Sequence, residues 1–150
     1  MQFSSFLTQS IVHYLDALAD RFLPADNTPP HQKIGRRGEE DAYFYLRRLG
    51  YVMVARDYRS PHRRGDIDLI GWDKDVLCFI EVKSRTTHDV KPAEAAVDED
   101  KQRVLRGMAG DYLRQLREIP QWRFDVISVY YDSRPARPKF ELFKNACPVS

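Results

Sequence analysis

Two short stretches carry reactive residue types at close spacing, Gly65-Asp66-Ile67-Asp68-Leu69-Ile70 and Phe79-Ile80-Glu81-Val82-Lys83. In a strand, residues two apart share a face. Glu81 and Lys83 therefore point one way, and Ile80 and Val82 the other. By the same rule Asp66 and Asp68 share one side with Ile67 and Leu69 opposite, so spacing leaves both aspartates open as site acids. If the strands pair through the turn at Asp73-Lys74-Asp75, the charged sides meet on one surface. Clustered carboxylates repel one another and need a compensating cation. Oxygen-only ligands suit hard ions such as Mg2+ or Mn2+. An ion held by Asp68 and Glu81 could bind a phosphate and acidify water, while Lys83 orients that water or neutralises transition-state charge. These are parts for phosphodiester hydrolysis. Glu-x-Lys alone is also an ordinary ion-pair pattern of a half-exposed sheet; the acid-bearing segment 13 positions earlier sets this pattern apart.

The elements that must position these residues follow from periodicity. A helix is predicted from Gly35, with Ala42, Tyr45, Leu46 and Leu49 on one face. Glu39, Glu40 and Asp41 would sit near its positive end, Arg47 and Arg48 near its negative end, and Gly50 would stop it. Strands are expected at 51–55, 67–70 and 76–82, the last two antiparallel, followed by a polar loop at 84–92. Val104, Leu105, Met108, Tyr112, Leu113 and Leu116 keep a helical period across 98–117. Two closing strands, 122–131 and 139–143, flank a turn holding Pro135 and Pro138. Before this core, residues 8–23 read as an amphipathic helix and 24–30, with three prolines, as a linker. The chain divides into an N-terminal helical appendage at 1–30 and one domain at 31–150.

The 150 residues, 43% apolar and 31% charged, suit one globular domain with an appendage. No run approaches the roughly 18 apolar residues of a membrane span, which excludes an integral membrane protein built on helices. The start lacks a basic n-region, so no signal peptide is expected. Cys78 and Cys147, without CxxC spacing, offer neither a zinc nor a redox motif and read as reduced thiols of a cytoplasmic protein. His13, His31, His62 and His88 form no ligand spacing. Charge is uneven. Residues 31–64 hold nine cations, eight of them arginines, against four acids. The stretch 56–64, with Arg63 and Arg64, would form a phosphate-contacting lip just before the acid-bearing strand.

The spacing from Asp68 to Glu81-Val82-Lys83 resembles the PD-(D/E)xK nuclease superfamily of restriction endonucleases and archaeal Holliday junction resolvases. The chain is more closely similar to the YraN-like family, small bacterial proteins assigned to that fold. The matching features are Gly35-Arg36-Arg37-Gly38-Glu39, Ala42, Leu46, Gly50-Tyr51, the two stretches above with Ser84-Arg85, Lys101, and Arg123-Phe124-Asp125-Val126. The resemblance spans about residues 35–143; Asp66 stands where many such sequences have Glu, and the first 30 residues fall outside the pattern.

The resemblance implies an α/β, restriction-endonuclease-like αβββαβ core, a mixed sheet flanked by helices. It implies Asp68 and Glu81 as metal-binding acids, Lys83 as the catalytic lysine and Glu39 as an added acid from the first helix, with Glu40 its rival. Arg85, Lys101 and less directly Gln102 are the implied backbone contacts to nucleic acid. The expected function is a Mg2+- or Mn2+-dependent endonuclease acting on DNA, with branched or structured DNA as a candidate substrate and a homodimer as the assembly that junction cutting would need. The rival from another class is a nucleic-acid-binding or protein-interaction module of the same fold with little turnover.

Overall fold

The computed structural model describes residues 29–86, 99–131 and 137–147. The expected helix at 8–23 and most of the linker lie outside them. The elements run α1 (Pro30–Arg48), β1 (Val52–Tyr58), β2 (Ile67–Asp73), β3 (Val76–Thr86), α2 (Glu99–Leu113), β4 (Gln121–Tyr131) and β5 (Lys139–Phe143). One mixed sheet holds the strands in the order β1-β2-β3-β4-β5. Only β3 and β4 pair in parallel, since α2 lies between them in the chain and supplies the crossover that parallel neighbours require. This is the expected restriction-endonuclease-like α/β core. No helix among the described residues is long and apolar enough to cross a membrane.

Each face of the sheet is closed by one helix. Ala42 and Leu46 of α1 pack with Leu69, Cys78, Ile80, Ile127 and Val129. Leu105, Met108 and Leu113 of α2 pack with Ile70, Leu77, Phe79 and Phe124 on the other side. The alternation along β3 thus sends Cys78 and Ile80 to α1, and Leu77 and Phe79 to α2. α1 meets β3 at Gly38, where a Cβ would overlap Ser84 Oγ. Gly50, at φ 95°, ends α1 as anticipated. Its N–H donates to Arg47 O (3.1 Å) and that of Tyr51 to Leu46 O (3.0 Å), satisfying two terminal carbonyls.

Boundaries move from the sequence expectation for identifiable reasons. α1 begins at Pro30 rather than Gly35, because proline fits the first helical position, where no N–H is needed. Glu39, Glu40 and Asp41 consequently sit mid-helix and the first turn has no acid, so they do not compensate the dipole. β3 continues through Ser84, Arg85 and Thr86, expected as loop, because β4 pairs with it along its whole length. α2 stops at Leu113, short of residue 117.

The sheet end away from the parting of β2 and β3 is tied by charge. Arg123 Nε donates to both oxygens of Asp125 (2.8 and 3.1 Å), and Nη2 to Asp73 Oδ2 (2.7 Å) and Tyr51 Oη (3.1 Å). Lys144 also reaches Asp73, 2.8 Å away, and these cations hold the Asp73 carboxyl down to about 2. Asn145 N–H donates to Asp125 Oδ1 (2.9 Å). Asp125 is fully buried, so removing its cation leaves an uncompensated charge. Arg123→Met is expected to lower the unfolding free energy by about 3 kcal/mol or more in urea titrations. Wild-type stability in that variant would mean that the network contributes nothing.

Candidate functional site

The site forms where β2 and β3 part. Their ladder runs from Asp73↔Val76 to Leu69↔Ile80 and goes no further, although β3 extends six residues beyond. At the next position the Asp68 side chain takes over from the missing strand: its Oδ2 accepts the Val82 N–H at 2.7 Å. Phe79 lies in the α2-side core, so Glu81, two residues further on, shares that face, and Asp68 comes beside it through the Val82 hydrogen bond and its interaction with Glu81. Lys83 follows on the same side, its Nζ 3.0 Å from Glu81 Oε1. From α2, Lys101 Nζ donates to the same oxygen. The structure thus brings Asp68, Glu81, Lys83 and Lys101 together.

Burial raises the Asp68 pKa first, the Glu81 and Glu39 charges add to it, and the Val82 hydrogen bond and Lys101 oppose it; the carboxyl is pushed up to about 8. Glu39 is likewise raised, by burial and then by Asp57 and Asp66. Burial pulls Lys101 down, but the hydrogen bond and charge of Glu81, joined by Lys83 and Asp68, leave it above its ordinary value. Beside the acids a cleft of about 350 Å³ is lined by His31, Ile34, Gly35, Glu39, Val82, Lys83, Ser84 and Thr86. Glu39 and Lys83 face this cleft from its two walls, whereas Asp68 and Glu81 lie outside its lining.

Asp66 and Asp68, both open as site acids, are placed differently. Asp66 precedes β2, is partly exposed and pairs with Arg59 at 3.8 Å. The expected common side for Ile67 and Leu69 does not hold, because Ile67 packs on the α2 side and Leu69 on the α1 side. The slip lies across from Asp57, whose φ of 48° twists β1 there. Between the two glutamates, Glu39 interacts with Asp68 and lines the cleft, whereas the charge of Glu40 acts on Tyr131.

The expected nucleic-acid contacts separate. Arg64 is exposed in the loop before β2. Arg63 lies across Gly107 of α2, where a Cβ would overlap its guanidinium, and donates to Asp111 Oδ2 at 3.1 Å. Ser60 Oγ donates to that oxygen (2.5 Å) and Arg114 to Oδ1. This clamp holds the β1–β2 loop on α2, and the Ser60 hydrogen bond with the two guanidiniums keeps Asp111 below the usual carboxylate range. The sequence reading passed over Ser60 and Asp111. The available signal was an acid three residues after Met108 on an apolar helix face, which demands a partner. Lys101 is engaged with Glu81 rather than turned wholly outward. Arg85 has a buried Nε with no hydrogen-bond partner among the described residues. Both cysteines are buried free thiols.

A profile described as "Uncharacterised protein family UPF0102" matches residues 38–129, from the Gly38-Glu39 pair into β4. The chain belongs to the UPF0102 family. This is the YraN-like family that its motifs resemble. A UPF0102 protein of Koribacter versatilis is 50% identical over 143 residues, covering 95% of this chain and 96% of its own length. Relatives in Solibacter usitatus (44% over 115 residues; 75% and 83% covered) and Desulforamulus reducens (36% over 116 residues; 75% and 93% covered) match less of the chain.

The acids of this UPF0102 chain's site offer oxygen donors, which suit hard ions such as Mg2+ or Mn2+. Among the described residues no three His, Cys, Asp or Glu side chains form an ion cage. The acids that share the site are a pair, Asp68 and Glu81, and both are oxygen donors. Mg2+ keeps several waters and is commonly held by one or two carboxylates with substrate phosphate, so the pair fits it.

The raised Asp68 pKa gives a signed pH dependence. Below about pH 4 the carboxyl is protonated folded and unfolded; between there and about 8 only the folded state holds the proton. Stability from this group is present at low pH and lost as pH rises through that window. Asp68→Asn is therefore expected to melt higher than wild type at pH 8, with the gap closing toward pH 4. An equal Tm difference at both pH values would contradict the assignment.

Proposed function

We propose that this UPF0102 protein is a Mg2+-dependent endonuclease that hydrolyses phosphodiester bonds in DNA in the cytoplasm. One juxtaposition carries the reading: Asp68, Glu81 and Lys83 meet on one face, with Asp68 anchored by the Val82 N–H. A divalent ion on Asp68 and Glu81 would supply Lewis-acid polarisation of the scissile phosphate and acidify a water beside it. Lys83 presents a fixed ammonium next to Glu81, suited to orienting that water and balancing charge on the phosphorane-like transition state. Glu39, across the cleft from Lys83, is suited to accepting a proton because its pKa is already raised. Arg59 and Arg64 extend from the loop before β2 as backbone contacts, which favour shape over base sequence. Branched DNA is accordingly the substrate class to test beside duplex, and cutting both strands of a junction would call on a homodimer.

A specific contact favours the rival, a DNA-binding module with little turnover: Lys101 already occupies Glu81. Nicking of supercoiled plasmid and four-way junctions with Mg2+ or Mn2+ separates the two. Asp68→Asn, Glu81→Gln and Lys83→Ala are each expected to slow nicking by roughly a hundredfold or more while retaining DNA in gel-shift assays at low salt. If wild type and all three variants bind alike and none cuts, the binding module is correct.

A further inference from the structure

Two ammonium groups converge on one oxygen, Glu81 Oε1: Lys83 from the same strand at 3.0 Å, and Lys101 from α2. They are not equivalent. The Glu81 side chain is 6% exposed, that of Lys83 24% and that of Lys101 40%. Lys83 is held in the middle of a ladder, opposite Ser128. Lys101 stands in the first turn of α2, where the helix dipole disfavours a cation. Its charge is also felt at Asp68, while its contact is with Glu81. A divalent ion seated on Asp68 and Glu81 without loss of either lysine would crowd three cationic centres onto those two carboxylates in a partly buried place, which is unfavourable. The more exposed lysine is the one able to withdraw.

We propose that Lys101 is a positioning residue that holds Glu81 in the metal-free protein and sets divalent-ion affinity by competing for that carboxylate. The proposal rests on Asp68 and Glu81 being the ion ligands. Ion binding is then an exchange, in which Lys101 leaves Glu81 and its stem swings from the acid pair toward solvent.

The test is Mn2+ titration of the full chain, followed by electron paramagnetic resonance of free Mn2+, for wild type, Lys101→Met, Lys101→Arg and Asp68→Asn. Thermal unfolding without metal checks that each variant folds. Lys101→Met keeps the length and packing of the stem but lacks the charge, and is expected to bind Mn2+ about tenfold tighter or more. Lys101→Arg, which restores the cation, should stay within about threefold of wild type. If Lys101→Met binds no tighter than wild type while Asp68→Asn still weakens binding, the competition is wrong and the ion site stands. If Asp68→Asn binds like wild type, or no variant binds, the ion site itself is wrong and the proposal falls with it.

Discussion

The parting of β2 from β3 at Asp68 is the constraint on which the candidate site depends. A strand that separates from its neighbour leaves N–H groups in need of acceptors, and a buried one cannot be left unpaired cheaply. Here the acceptor is a carboxylate, Asp68 Oδ2 on the Val82 N–H. One interaction thereby ends the ladder, fixes the Asp68 rotamer and sets an acid beside Glu81 on a half-dry surface. It also explains why the two acids can be adjacent without belonging to a regular cross-strand pair.

The rest of the fold is arranged around that opening. α2 covers the core as far as Phe79 and then delivers Lys101 to Glu81. The Ser60–Arg63–Asp111–Arg114 clamp fastens the loop that leads into β2, so the start of the acid-bearing strand is held to the helix that supplies the lysine. At the opposite end, Arg123 and Lys144 tie the strands together through Asp73 and Asp125. Charge is thus gathered in two places: networks at Asp73, Asp125 and Asp111 secure the sheet and loop, and a further group, Asp68, Glu81, Lys83 and Lys101, sits where β2 and β3 part.

Much of this was legible in the chain. Alternation placed Glu81 and Lys83 on one face, the short turn after Asp73 implied the antiparallel pair, and the 13-residue spacing singled out the acid strand. What failed did so where a tertiary contact overrides a local rule. The alternation that paired Ile67 with Leu69 breaks opposite Asp57, which stands at positive φ. β4 extends β3 through a polar stretch that reads as loop. The prolines that resemble a linker end by starting α1. Arg63 looked like a solvent-facing cation because its partner, Asp111, lies 48 positions away. Between Asp66 and Asp68 no periodicity could choose, since the deciding partner is a backbone N–H of another strand.

The contact between Gly38 and Ser84 has a mechanical consequence. Because the Ser84 side chain alone fills the space between α1 and β3 at Gly38, the helix sits closer to the strand than a residue with a Cβ would allow, and Glu39, the very next residue, inherits that placement on the cleft it shares with Lys83. Any bulk at position 38 acts as a shim: it lifts the helix and widens the slot, separating the acid from the ammonium without altering either one.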